Sequence, residues 1–444
     1  MPRATPCRLP VAKAAGSSDQ DIRARLGSAP HTLPTLREGV DVSRETGARL
    51  GFALLAYMLG VTLIITLLPF QFGWPPRWRV MFTGGAVDVI ANVLLFFPLG
   101  FLFRLARREG HRHTTLTVLW VGALLSMGIE LAQLFEQERF TSVLDVTTNA
   151  LGAWLGAATF DRLSPKTRVD GELVDRLSLE LPLMGLIYLL VPLLWLNALA
   201  SAGEIERSGM ALLLGVFGAS LLGGMQRFHF GPARSLDPRV TAAAGSLWFL
   251  AGAFPSLPTR PLVLLAGTAL VGALTWRQGV RPHRATLGNR RFEVPLLMSA
   301  APAYGAYLAL QALTPLLDGV RPWGVGWGFP GVAAAWTKTE ILRLLEQLAA
   351  FTLLGYMIAE FRGRDDASFG AALRRLFAWG GVGAATVEAI RGFQPYHGGS
   401  VARGLLALGA ALYGGWLYYL QRAHVIQLLA TLRRGTTDGG EDAV

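Results

Sequence analysis

The chain has 444 residues, of which 52% are hydrophobic and only 16% charged, and its formal net charge is +11. Soluble domains carry about 25% charged residues, so this balance excludes a soluble catalytic domain of ordinary surface and points to a polytopic membrane protein. A single cysteine, Cys7, cannot form an internal disulfide and says little about redox compartment.

Residues 1–49 are polar and rich in Arg, Pro, Ser and Thr, and are expected to form a disordered cytoplasmic tail. The start MPRATPCRLPVAK resembles an organelle transit peptide, but Asp19, Asp21, Glu38, Asp41 and Glu45 follow it, and such peptides are poor in acids. Apolar runs then recur, each close to the roughly 20 residues a helix needs to cross a bilayer. They predict twelve helices at 50–69, 86–104, 114–135, 143–160, 180–199, 209–226, 240–255, 261–276, 294–313, 341–360, 371–391 and 401–420. The short runs 240–255 and 261–276 read alternatively as one re-entrant pair. The fold class is therefore an all-α membrane bundle.

Orientation follows from charge. The tail and the segments 104–113, 161–176, 226–239, 276–293, 360–375 and 421–434 are arginine-rich, and they fall on one side under a count of twelve. Lys and Arg are retained preferentially in cytoplasmic loops, so both termini are expected inside. The positive charge thus reflects topology, and no nucleic-acid partner is expected. Trp74, Trp78, Trp323 and Trp327 fall in the outer connections, where they suit the bilayer interface.

One stretch departs from the apolar pattern. GIELAQLFEQERFTSVLDVTTNALGAWLG (128–156) carries Glu130, Gln133, Glu136, Glu138, Arg139, Asp145 and Asn149. Asp145 and Asn149, four residues apart, share a helix face, which Gly152 and Gly156 extend with room for a neighbouring helix. Asp88 and Asn92 repeat the spacing in DVIANVLLFFPLG, where Pro98 and Gly100 interrupt the helix further on. Charges in an apolar interior cost at least about 2.5–3.5 kcal/mol each, so these groups should face the bundle interior or a wet cavity. One reading is an interhelical hydrogen-bond network that only holds helices in register. The other is an outward-opening polar pocket for an envelope lipid, glycan or peptide-like ligand, with Arg139 as anion contact and the acids taking hydroxyls, amines or protons. Catalytic residues are not assigned, and neither a metal site nor a cofactor is expected: the seven histidines are scattered and no phosphate-cradling glycine loop is present.

The chain also reads as containing one unit twice. TLLPFQFGWPP leading into DVIANVLLFFPLGFLF corresponds to ALTPLLDGVRPWGVGWGF leading into ILRLLEQLAAFTLLGYMI, and GIELAQLFEQERFTSVLD to TVEAIRGFQPYHGGSVAR. Glu130 then matches Glu388 and Ser142 matches Ser400, whereas Asp88, Asn92, Asp145 and Asn149 fall on Arg343, Gln347, Arg403 and Ala407. The later copy is read as degenerate, with a middle third as spacer. The expected divisions are a tail at 1–49, a four-helix unit at 50–162, middle helices at 163–292, a second unit at 293–422 and a tail at 423–444.

The ordered motifs LLPF (67–70), D-x-x-x-N-x-x-x-F-x-P-L-G (88–100), I-E-x-x-Q-x-F (129–135) and, after an Arg, V-L-D-V-x-x-N-x-x-G-x-x-x-G (143–156) resemble VanZ-like membrane proteins. The resemblance covers residues 50–160. Its motif positions fall on Asp88, Asn92, Pro98, Gly100, Glu130, Gln133, Arg139, Asp145, Asn149 and Gly152. The family's namesake accompanies glycopeptide resistance clusters and is associated with teicoplanin resistance, so the resemblance implies a cell-envelope protein of the bacterial cytoplasmic membrane. Its partners would be membrane lipids and a lipid-linked precursor or glycan. A proton-coupled transporter and an intramembrane enzyme on lipid-linked substrates are the alternative readings.

Overall fold

Each predicted apolar run is a helix in the computed structural model, which describes residues 36–74, 80–82, 84–107, 115–136, 140–163, 171–200, 207–229, 237–281, 293–314, 319–320, 322–329, 337–362, 368–394 and 398–437. Within them lie twelve α-helices: α1 (Leu36–Leu67), α2 (Ala86–Ala106), α3 (Thr115–Gln133), α4 (Val143–Leu163), α5 (Gly171–Ala200), α6 (Ser208–His229), α7 (Pro238–Gly252), α8 (Pro261–Gly279), α9 (Glu293–Leu313), α10 (Lys338–Arg362), α11 (Phe369–Arg391) and α12 (Val401–Thr437). Seven of them, in α1, α2, α3, α5, α6, α9 and α10, contain stretches long and apolar enough to cross a membrane. The protein is an all-helical, polytopic membrane protein.

Contacts divide the chain into Met1–Asp41 and Val42–Val444, and the packing below is that of the larger part. Two helices overrun the sequence expectation. The first begins at Leu36 and the last continues to Thr437, because LREGVDVSRETGARL and QRAHVIQLLATLRR contain no proline to stop them. Of the tail expected over 1–49, residues 1–35 lie outside the described residues. The runs 240–255 and 261–276 form two separate helices joined by a 3-10 turn at Phe254–Ser256. Asp237 starts the first by accepting from Arg239 N at 2.9 Å, with Pro238 in the first turn, where its missing N–H costs nothing.

The middle of the chain is no spacer. α5 is apolar all round over LPLMGLIYLLVPLLWLNALA, the pattern of a helix buried on every side. Leu183, Leu186, Leu190, Leu193, Leu194 and Leu196 are all buried, in one core with Phe217 of α6, Tyr304 and Tyr307 of α9 and Leu353 and Tyr356 of α10. Trp195 Nε1 donates to Ala251 O at 2.9 Å and Trp248 Nε1 to Ile187 O at 3.2 Å, fastening α5 to α7. Lipid is as apolar as leucine, so this core gains by close packing and by saturated polar groups more than by escape from water.

The first unit, α1–α4, has its own core of Met58, Leu95, Phe96, Leu99, Leu102, Val118, Ile129 and Ala153, with Trp195 reaching in from α5. Here α2 and α4 run in backbone contact. A methyl group on Gly100 would collide with the Ala153 carbonyl, and one on Gly156 with the Phe97 carbonyl. The second unit, α9–α12, packs α10 on α12 in the same way: Gly355 lies against the Ala411 carbonyl and Gly414 against that of Thr352.

Two short parallel strand pairs were not foreseen. β1 (Val80–Met81) pairs with β2 (Thr141–Ser142), matching Val80 to Thr141 and Met81 to Ser142. β3 (Val325–Gly326) pairs with β4 (Gly399–Ser400), matching Val325 to Gly399 and Gly326 to Ser400. Each pair ties the connection ahead of a unit's second helix to the residues that open its fourth.

Candidate functional site

The polar residues of the first unit separate into two groups by what they touch. Glu130, near the end of α3, is buried, and its Oε2 accepts Ser142 N at 2.7 Å. Thr141 Oγ1 donates to Glu130 O at 3.0 Å. The carboxylate therefore holds the start of α4, where exposed N–H groups and the helix dipole favour a negative charge. Gln133 Nε2 donates to Thr66 O at 2.8 Å, tying α3 to α1. Glu136 is buried, forms an antiparallel bridge with Phe72, and accepts Gln71 N at 3.4 Å. These three position helices and connections.

The second group lies between α2, α3 and α4. The Asp145 carboxylate sits beside Ser142, within electrostatic reach of Asp88, and takes a hydrogen bond from Asn92. Asp88 itself is exposed and accepts Gly85 N at 3.2 Å. One turn along α4, Asn149 is buried and donates through Nδ2 to Ser126 Oγ at 2.8 Å, while its Oδ1 has no partner. The structure thus brings Asp88, Asn92 and Asp145 together and sets Asn149 on the same helix face. The acids it pairs are Asp88 and Asp145. Arg139 and Glu138 lie outside the described residues.

Gly152 and Gly156 do as their spacing predicts, since a methyl group on either would strike the α2 backbone, at Val93 O and Phe97 O. Pro98 sits inside α2, where it leaves the carbonyl one turn earlier without its helical donor. Among the described residues, no group of three or more His, Cys, Asp or Glu could hold a metal ion.

In the second unit the same scaffold carries other charges. Glu388 Oε2 accepts Ser400 N at 2.9 Å, as Glu130 accepts Ser142 N. Gln394 Nε2 donates to Ala312 O at 2.7 Å, tying α11's end to α9 as Gln133 ties α3 to α1. Around Glu388, however, Arg403 binds with its fork, Nε to Oε1 at 2.9 Å and Nη2 to Oε2 at 2.7 Å. Gln347 donates to Glu388 Oε1 at 3.0 Å, and Arg391 donates to both Gln347 and Glu388. Where the first unit has Asp145, this one has Arg403, and the position of Asn149 holds the apolar Ala407.

A further buried cluster was missed in the sequence. Glu346 of α10 is fully buried, accepting Asn197 Nδ2 of α5 at 2.8 Å, Tyr307 OH of α9 at 3.1 Å and the Arg207 guanidinium ahead of α6. The available signal was a glutamate in the apolar run ILRLLEQLAAFTLLGYMI, which requires a partner. Its partner Arg207 lies in what reads as a loop.

Fold and site together define a helical membrane protein with a polar cluster at one end of its first four helices. Residues 43–164 match the family described as VanZ/LLP1, so this first unit is VanZ-like. No curated protein and no solved structure matches the chain.

Proposed function

We propose that the VanZ-like unit binds a cell-envelope ligand through Asp88, Asn92, Asp145 and Asn149, and that this group opens to the extracytoplasmic side of a bacterial cytoplasmic membrane. The observation that carries the reading is incompleteness. Asn149 Oδ1 is buried and unpartnered, and Asp145 faces a second carboxylate. A network serving only as helix glue satisfies its buried polar atoms, because each one left unpaired costs about 1–3 kcal/mol. Two acids and an amide oxygen call for donors, so the ligand presents hydroxyls, amides or amines: a glycan, a peptide-like group or a lipid bearing one. A link with glycopeptide resistance belongs to the same proposal.

A second reading is favoured by the shared construction of the two units. Equivalent carboxylates on equivalent strand pairs, with equivalent glycine contacts, support an internal repeat, and repeats that rock about a central site are a common transporter design.

The test is thermal unfolding of the purified protein with a panel of lipid-linked peptidoglycan precursors and glycopeptides. A ligand should raise the melting temperature of the wild type and lose that effect in Asp145→Asn and Asn149→Leu variants that still fold. If no member of the panel shifts the wild type, and the variants merely melt earlier, the cluster is structural.

A further inference from the structure

The buried charges around Glu346 and Glu388, where the second unit meets Arg207 ahead of α6, do not balance. Among the described residues, Glu346 and Glu388 face Arg207, Arg391 and Arg403, and all four of the other charges act on Arg391. That is three cations against two anions, and Arg207, Arg391, Glu346 and Glu388 are all buried. A lone buried charge is costly when nothing offsets it. A second observation points the same way: Arg207, 4% exposed, has a buried Nε with no partner. The cluster is also within reach, since the Arg391 and Arg403 side chains keep 10% and 12% exposure.

We propose that Arg207, Arg391 and Arg403 form an anion site that takes a phosphate group. The Arg403 fork already holds Glu388, so the phosphate would meet the guanidinium N–H groups left over, Arg207 Nε among them, through charge-assisted hydrogen bonds. A phosphodiester carries one negative charge, which cancels the excess of three over two. Glu346 and Glu388 hold the arginines in place and keep the site from binding more than one such charge. The site is independent of the ligand proposed for the first unit, where acids dominate. Two sources offer this chemistry, the headgroup of an anionic lipid and free phosphate.

The experiment is native mass spectrometry and thermal unfolding of the full chain in a nonionic detergent at low salt. The protein is titrated with short-chain phosphatidylglycerol, with inorganic phosphate, and with phosphatidylcholine as control. One phosphatidylglycerol per chain should be retained, phosphatidylcholine should not, and affinity should drop at least tenfold in Arg391→Gln. If inorganic phosphate competes at equal strength, the source is the free anion and the site stands. Should Arg391→Gln not fold, Arg391→Lys keeps the charge without the fork and should bind between threefold and tenfold more weakly. The Asp145→Asn variant should bind as the wild type does, which separates this site from the first unit. No preference over phosphatidylcholine together with no phosphate effect overturns the proposal, as does unchanged affinity in the Arg391 variants.

Discussion

Glu130 and Glu388 have one backbone task and different surroundings. Both accept the N–H that opens the following helix, but Glu388 also neutralises the buried Arg391 and the partly buried Arg403. Glu388→Ala should therefore cost about 3–5 kcal/mol, the penalty for stranding buried cations. Glu130→Gln, which keeps an acceptor for Ser142 N, should cost less than Glu130→Ala. Unfolding in detergent measures all three, and equal losses for the two Glu130 variants would contradict its role as an acceptor. Much of this was legible at the residue scale: Glu130, Asp145 and Asn149 stood out because ionisable and amide groups are expensive between apolar runs. Their division into positioning and open groups was not legible, since it depends on which atom of α2, α3 or α4 lies opposite. Arg207 was hidden by its place in a connection, where an arginine needs no explanation.

The glycines give the sharpest forecasts among the elements. Gly100 and Gly355 occupy the same place in the α2–α4 and α10–α12 contacts, each against a carbonyl of the partner helix. Gly100→Ala and Gly355→Ala should each destabilise by about 1–3 kcal/mol, as overpacking does. Gly60, with nothing within 4 Å of its missing methyl, should instead gain up to about 1 kcal/mol as alanine, through the better helix propensity. A melting series of the three variants checks this, and a neutral Gly100→Ala would refute the backbone contact. Apolar runs made the helices readable, and i, i+4 glycines made one packing face readable. The two-residue strand pairs escaped notice because VM, TS, VG and GS carry no alternating pattern; their partners alone define them.

For the whole molecule, arginine distribution predicts an orientation that labelling can test. Cys7 is the chain's one cysteine, so Cys7→Ser supplies a clean background. Thr259 and Arg281 are both exposed, at opposite ends of α8. An impermeant maleimide should label Thr259→Cys in intact cells and Arg281→Cys only after permeabilisation; the reverse pattern would sink the inside placement of the termini. The central place of α5 could not be read from charge or span length, because an all-apolar helix looks alike whether lipid or protein surrounds it. The strand pairs, finally, have a mechanical meaning. Each clamps three segments of a unit at one end, β1 and β2 with the Phe72–Glu136 bridge in the first. Arg104 Nε donates to Asp161 at 2.9 Å, between partly exposed side chains, and links α2 to α4 at the far end. The clamp thus sets the register of α2 against α4 from one end, and the Gly100 and Gly156 backbone contacts carry that register along the pair to the partly exposed ion pair at the other.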